Sequence, residues 1–174
     1  DHRDLHRLIR RQRQMCIRDR NEVTMKIVII SSLWERTPPE KYGGTERVVH
    51  YLTNELVYRG HAVTLFATGD SQTKAKLISV YPRALYRNGV PWGEAYWPLI
   101  NVAKAINYAI KIKADIIHHH SQFYGYPFGL VSPIPMVHTH HGNLNPKIIS
   151  KGKTAIMQAF KDNSYISISN SQRK

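Results

Sequence analysis

Residues 25–69 read MKIVIISSLWERTPPEKYGGTERVVHYLTNELVYRGHAVTLFATG and alternate between apolar and amphipathic segments. The run at 26–32 is short, β-branched and without polar alternation, which is typical of a strand buried on both faces. The segment at 45–60 has apolar residues at helical spacing and ends at Gly60, so it predicts a helix. A second strand is predicted at 61–69. This order predicts a right-handed crossover and a parallel sheet.

The same alternation continues to the end of the chain. Further strands are predicted at 75–81, 115–120, 134–142 and 164–171, and helices at 99–114 and 152–162, with a loop and short helix at 122–132. We therefore predict an α/β fold, a Rossmann-like parallel sheet with helices on both faces.

Residues 1–24 do not continue this pattern. They hold seven arginines and four acidic residues, and a new start is visible at Met25. We expect 1–24 to be a non-native or disordered basic leader and 25–174 to be the domain. A basic membrane-binding helix is the alternative for the leader.

The composition limits the class of protein. The 174 residues are 42% hydrophobic, enough for one domain with a core. There is a single cysteine, no signal peptide and no apolar run of membrane-spanning length, which favours the cytoplasm. The net charge of +13 favours anionic partners such as phosphate esters or an anionic membrane. No nucleic-acid motif is present, so we expect no nucleic acid to bind.

Ligands of open α/β sheets bind beyond the carboxyl ends of the strands. The loop LWERTPPEKYGG at 33–44 follows the first strand there and is much longer than most such connections. Gly43 and Gly44 bring bare backbone close to a neighbour, Thr45 is a good N-cap, and Glu46 lies in the first turn. A helix start of this kind suits a phosphate or carboxylate. The alternative is a plain helix-start turn. The dinucleotide pattern G-x-G-x-x-G is absent.

Histidines follow two of the later strands. Because side chains alternate along a strand, His118 and His120 should share a face, as should His138 and His140. Two such pairs on neighbouring strands could bind zinc. Few carboxylates and no cysteine lie nearby, and neutral imidazoles that bind a hydroxyl-rich ligand fit the pattern equally. We therefore expect no metal.

Four segments together resemble a known family. They are PPEKYGGTERVVHYLTNELVYRGHAVTLFATGDS at 38–71, ADIIHHHS at 114–121, PMVHTHHG at 135–142 and ISISNSQR at 166–173. They are similar to the N-terminal, acceptor-side domain of glycosyltransferase family 4 enzymes with the GT-B fold. The resemblance extends from Met25 to the end of the chain.

The resemblance implies one half of a two-domain enzyme, whose C-terminal donor domain is absent from this chain. Such enzymes move a sugar, here of the hexosyl type, from a nucleotide-sugar to an acceptor hydroxyl with retention. They usually need no metal, and the nucleotide-sugar is a substrate and not a cofactor. The acceptor would be a sugar or a lipid-linked molecule, with peripheral contact at the inner face of an anionic membrane. The isolated chain would be inactive.

The resemblance also assigns roles to residues. His141 matches the histidine beside the reacting centre and would be catalytic. The residues that match donor-phosphate and acceptor contacts are Gly43, Gly44, Glu46, His118, His120, Ser121 and Gly142. Position 121 is Ser where many relatives have Asp.

Two other functions fit parts of the pattern. One is a non-enzymatic module of flavodoxin or Rossmann type that binds a nucleotide or phosphate. The other is a zinc hydrolase that uses the histidines.

Overall fold

A computed structural model describes residues 23–145 and 147–173. The prediction of a basic leader at 1–24 therefore falls, apart from Val23 and Thr24, outside the described residues.

Six parallel strands form a single sheet in the order β3-β2-β1-β4-β5-β6. The strands are β1 (Lys26–Ile30), β2 (Ala62–Phe66), β3 (Lys76–Ile78), β4 (Ile116–His119), β5 (Met136–His140) and β6 (Ser164–Ser167). The parallel Rossmann-like sheet predicted from the sequence is confirmed. β3 is shorter than predicted.

Four helices connect the strands. They are α1 (Gly44–Tyr58), α2 (Tyr96–Ile112), α3 (Tyr126–Gly129) and α4 (Lys151–Ala159). Short 3₁₀ turns lie at Leu85–Asn88, Gln122–Gly125 and Asn170–Arg173. No helix in the described ranges combines the length and apolarity needed to cross a membrane.

The two faces of the sheet have separate cores. On the α1 face, Ile29 of β1 packs in one cluster with Val49 of α1. On the α2 face, Val28 and Ile30 of β1 cluster with Val102 of α2. Alternation along β1 thus sends neighbouring residues to opposite helices, as expected for a strand that is buried on both faces.

The start of α1 differs from the sequence-based expectation. Gly43, not Thr45, is the N-cap, and its carbonyl accepts a hydrogen bond from the backbone N–H of Arg47 at 3.1 Å. Gly43 has φ +147°, which L side chains rarely adopt, so the helix begins as soon as the glycine pair has turned the chain. Val48, one of the apolar residues of the predicted helix at 45–60, is 46% exposed.

The strand order creates a crevice at the carboxyl edge of the sheet. β1 lies between β2 and β4, and the chain leaves β1 towards β2 through α1. At such a reversal the connections diverge and leave a space beyond the strand ends. The residues that follow β1, β4 and β5 therefore surround the candidate site.

Candidate functional site

The glycine pair that begins α1 has two different surroundings. A Cβ atom at Gly43 would lie 2.6 Å from Cβ of Pro39 and 3.0 Å from Oε2 of Glu46, so the chain itself requires this glycine. A Cβ atom at Gly44 would meet no atom within 4 Å. Gly44 is exposed and, as the first residue of α1, carries a free backbone N–H. The helix start therefore offers an open position for an anionic group.

Glu46 lies one turn into α1 and is only 5% exposed. Burial raises the pKa of its carboxyl, and hydrogen bonds from its own backbone and from the Ser32 hydroxyl partly offset this effect. Its Oε2 lies beside Gly43. The side chain thus supports the turn between the loop and α1.

The long loop before α1 is tied to the segment that follows β3. The backbone N–H of Leu85 donates to the carbonyl of Leu33 at 2.9 Å. The Arg87 guanidinium pairs with Glu40 at 2.7 Å and with Glu35 at 3.4 Å. These contacts give the approach to the glycine pair a fixed path.

The register between the strands decides which histidines meet. His118 is the partner of Ile29 in β1 and of Val137 in β5, whereas His119 is the partner of Ile30 and of His138. Residues paired in a parallel sheet point to the same face. His118 therefore lies on the α1 face, and His119 and His138 lie on the α2 face.

Three imidazoles gather on the α1 face, where β4 and β5 end. His120 Nδ1 lies 2.9 Å from His141 Nε2, at a distance for a hydrogen bond in which one ring donates and the other accepts. The His118 ring lies 4.1 Å from the His120 ring, centre to centre. His118 Nε2 lies 2.8 Å from Oγ1 of Thr139. The three rings form a connected group on the face that carries α1.

Thr139 was missed by the sequence analysis. It stands between His138 and His140 in β5, so alternation alone places it on the opposite face from those two residues. His118 pairs with Val137, and Thr139 shares the face of Val137 by alternation, so the register places Thr139 near His118.

The α2 face holds the other three histidines. His119 Nδ1 and His138 Nδ1 are 3.1 Å apart, and His140 Nδ1 lies 2.6 Å from the hydroxyl of Tyr126. All three rings are at most 3% exposed. They are packed as parts of a core.

Two glycines make room for these buried rings. A Cβ atom at Gly125 would overlap the His119 ring, and one at Gly129 would lie 2.6 Å from Nε2 of His138. Both glycines lie in the segment of the Gln122–Gly125 turn and α3, which covers the histidines. Imidazole and backbone therefore meet with no space between them.

Burial keeps the imidazoles of both faces neutral at pH 7. Burial, with a smaller contribution from the nearby His141, lowers the pKa of His118 to about 4. It also lowers the pKa of His141. On the α2 face, burial lowers the pKa values of His138 and His140 to about 4 each. A neutral ring can both donate and accept a hydrogen bond.

Each predicted histidine pair shares a face, but the two pairs lie on different faces. His118 and His120 lie on the α1 face, and His138 and His140 lie on the α2 face. The pairs are separated by the sheet itself and cannot surround one ion. Among the described residues, no group of three or more His, Cys, Asp or Glu side chains is placed to hold a metal.

The remaining predicted residues, Ser121 and Gly142, are chain neighbours of the α1-face histidines. Ser121 directly follows His120 and is 3% exposed, and Gly142 directly follows His141. A Cβ atom at Gly142 would lie 3.0 Å from Nε2 of His140. The structure thus brings His118, His120 and His141 into contact and places Ser121 and Gly142 next to them.

A cavity of about 960 Å³ lies between β6 and α4. Its lining includes His140 but none of the three imidazoles of the α1 face. The residues that line it are Tyr126, His140, Leu144, Met157, Lys161, Tyr165, Ile166, Ser167, Ile168, Ser169, Asn170 and Gln172. This cavity lies beyond the carboxyl ends of β5 and β6, next to the segment that carries His141, but the three imidazoles of the α1 face do not line it.

Solved structures of larger proteins share the fold. A sucrose-phosphate synthase from Thermosynechococcus elongatus matches 80% of this chain with a TM-score of 0.54 and 18% identity, over 41% of its own length. A glycosyltransferase from Rickettsia africae ESF-5 matches 84% of this chain with a TM-score of 0.54 and 16% identity, over 37% of its own length. The chain thus spans less than half of either protein. No curated protein matches it.

The sequence itself matches a family. The model of Glycosyltransferase Family 4 aligns with residues 42–173, from the approach to the glycine pair to the last turn. That range includes α1 and both histidine-bearing strands, β4 and β5. It leaves out β1 and most of the loop that follows β1. The chain belongs to glycosyltransferase family 4.

Proposed function

We propose that this chain is the acceptor-side half of a retaining glycosyltransferase that moves a hexosyl group from a nucleotide-sugar to an acceptor hydroxyl. The observation that carries the proposal is the group of three imidazoles on the α1 face. His118, His120 and His141 meet at the carboxyl edge of the sheet, on the same face as the open helix start at Gly44.

The two parts of the site suit the two charges of such a reaction. The leaving group is a nucleoside diphosphate, and the free N–H groups at the start of α1 can stabilise this anion. The sugar becomes positively charged as the bond breaks, and a neutral imidazole tolerates that charge better than a protonated one. His141 would orient the acceptor hydroxyl or the sugar by a hydrogen bond.

The donor-binding half would be a second α/β domain. Support comes from the two larger proteins of the same fold, of which the chain spans 41% and 37%. We expect the chain alone to fold but not to transfer sugar, because most contacts to the donor would come from that second domain.

No resident metal or cofactor is part of this proposal. The support is the separation of the histidine pairs by the sheet, together with the lack, among residues 23–145 and 147–173, of three or more His, Cys, Asp or Glu side chains placed around one point. Charge stabilisation would come from backbone N–H groups instead of a cation.

The acceptor would be a sugar or a lipid-linked molecule, and α2 supplies support for contact with an anionic membrane. Its sequence, YWPLINVAKAINYAIKI, contains no acidic residue. Leu99, Ile100 and Ile110 are 37%, 39% and 44% exposed, and Lys104 and Lys111 are exposed beside them. An apolar strip flanked by lysines suits an anionic lipid surface.

Vesicle binding tests that contact. We expect the chain to sediment with vesicles that contain anionic lipid and not with purely zwitterionic ones. A Lys104→Glu/Lys111→Glu variant should lose the binding, whereas Lys161→Glu, a charge change outside α2, should retain it. Equal binding of the parent to both kinds of vesicle would exclude this role.

The transfer reaction tests the main proposal. The protein that joins this chain to its donor domain should release a nucleoside diphosphate and glycosylate an acceptor when given nucleotide-sugars in turn. The anomeric configuration of the product, read by NMR, should equal that of the donor. Binding of a nucleotide-sugar without any turnover, across acceptors of several kinds, would favour a non-enzymatic binding module instead.

A further inference from the structure

We propose that Gln172 is a positioning residue that holds His141 in its hydrogen-bonded orientation. This inference rests on the proposed function only for the role of His141; the positioning itself is a property of this chain. Gln172 is not among the site residues predicted from the sequence.

The side-chain amide of Gln172 bonds to the backbone on both sides of His141. Its Nε2 donates to the carbonyl of His140 at 3.1 Å and to the carbonyl of Gly142 at 3.0 Å. A glutamine NH₂ group has two hydrogens, so both of its donors are used. The amide therefore holds the carbonyl of the residue before His141 and the carbonyl of the residue after it.

The orientation of this amide is fixed by a third bond. Its Oε1 accepts a hydrogen bond from the backbone N–H of Ile168 at 2.9 Å. If the amide were turned over, its oxygen would face the two carbonyls of His140 and Gly142, and its NH₂ would face an N–H. All three contacts would then be repulsive, so only one orientation satisfies them.

The hydrogen bonds to His140 and Gly142 lie where the sheet no longer holds the chain. His140 and Ser167 are the last paired residues of β5 and β6, and residues 141–145 belong to no strand or helix. Gln172 comes from the 3₁₀ turn that follows β6 and supplies hydrogen bonds that the strand ladder would otherwise provide. Gln172 thus holds the two residues that follow β5, His141 and Gly142, although no strand pairs with them.

The position of His141 matters because its ring is bonded to a second ring. His141 Nε2 lies 2.9 Å from His120 Nδ1, and the rings are stacked with 29° between their planes. A backbone shift of about 1 Å at residue 141 would break such a bond, since hydrogen bonds weaken steeply with distance and angle. Fixing the peptide groups beside His141 therefore fixes the connected imidazoles.

Imidazole NMR on this chain separates positioning from mere anchoring of the last turn. In the parent, we expect a single tautomer for His120 and for His141 and a slowly exchanging hydrogen between them. In Gln172→Met, which removes both donors at similar size, we expect averaged tautomers and a His141 pKa that moves up towards about 6.5. Gln158→Met, the same change at an exposed residue of α4, should leave both rings as in the parent.

Two outcomes would overturn the proposal. The first is a folded Gln172→Met protein in which the signals of His120 and His141 are unchanged. The second is loss of the fold in both Gln172→Met and Gln172→Glu, which would show that the residue only anchors the terminal turn. If Gln172→Met alone unfolds, Gln172→Glu, which keeps the side-chain length but lacks the donors, gives the decision from the same spectra.

Turnover by the protein that includes the donor domain gives an independent reading. We expect Gln172→Met to lower kcat about tenfold or more, with KM for the donor within about threefold, because misplaced catalytic groups act mainly on the transition state. Changed imidazole spectra with unchanged kcat would support the positioning by Gln172 and would refute the catalytic role of His141. Unchanged spectra with a lowered kcat would refute the positioning.

Discussion

Three histidines lie on each face of the segments 116–120 and 136–141, which are β4 and β5 with the residue that follows each strand, and the two sets differ in what surrounds the rings. On the α1 face, His118 and His141 are partly exposed and bond to a threonine and to another imidazole. On the α2 face, His119 and His138 are fully buried, and each ring meets the backbone of a glycine. Burial keeps both sets neutral, but His118 and His141 are partly exposed, whereas His119 and His138 are enclosed. The residue type alone therefore does not identify a site.

The largest effect is expected from a change at the open helix start on the α1 face. Gly44→Val in the enzyme with its donor domain should reduce transfer below detection, because the new side chain fills the space beside the free N–H groups. The fold should be retained, with a change in stability of about 1 kcal/mol or less. Transfer assays and circular dichroism check both expectations.

Gly152→Val is the matched control for that change. Gly152 also lies in the first turn of a helix, α4, and a Cβ atom there also meets no atom within 4 Å. It should leave transfer intact. A folded Gly44→Val enzyme with normal kcat and KM would show that the helix start takes no part in the reaction.

Two neighbouring residues compare the faces directly. His141→Ala should lower kcat about 100-fold with little change in donor affinity, as expected for a group that acts in the transition state. His140→Ala should instead lower the free energy of unfolding by about 1–3 kcal/mol, since the buried Tyr126 hydroxyl loses its partner. Kinetics and chemical denaturation of both variants give the test. The reverse pattern would mean that the site lies on the α2 face.

Acid should act on the buried histidines of both faces. Their folded-state pKa values are lowered, to about 4 for His118, His138 and His140, so unfolded chains bind protons first as the pH falls below about 6.5. The free energy of unfolding should fall by about 1.4 kcal/mol per pH unit for each such histidine between about pH 6.5 and pH 4. Above that window these groups add no pH dependence.

A double variant measures the share of the α2 face in this effect. His119→Leu/His138→Leu removes two titrating rings that bond only to each other, and so leaves neither Nδ1 without its partner. Urea denaturation from pH 7 to pH 4 should show a slope smaller by up to two protons. An unchanged slope would mean that these rings do not titrate with unfolding.

The smallest expected effect is that of metal removal. Because the sheet separates the histidine pairs, a chelator should change neither the melting temperature nor the rate of transfer. Metal analysis of protein purified without added zinc checks this directly. Stoichiometric zinc that is lost in His118→Ala or His138→Ala would contradict the metal-free site.

The sequence predicted the parallel sheet from the alternation of strand and helix patterns. It predicted that His118 and His120 share a face because side chains alternate along a strand. It could not predict that His118 pairs with Val137 and His119 with His138. That register depends on how two strands slide past each other, and a shift of one residue exchanges the faces. The zinc hypothesis needed both pairs on one face, and the register places them on opposite faces.

The helix start shows the same limit. Thr45 is a better N-cap than glycine by its side chain, yet Gly43 takes that place because its φ of +147° turns the chain there. Gln172 gave no local signal at all. Its two acceptors lie about thirty residues earlier in the chain, and only the folded sheet brings them together.

Gly125 and Gly129 restrict the evolution of the segment that covers the α2 face. A side chain at Gly125 would overlap the His119 ring, and one at Gly129 would press on His138. A lineage that gains a larger residue at Gly125 must also replace His119 by something smaller, whereas at Gly129 both His138 and Asn163 would have to give way. Gly125 and His119 are therefore expected to be inherited as a pair.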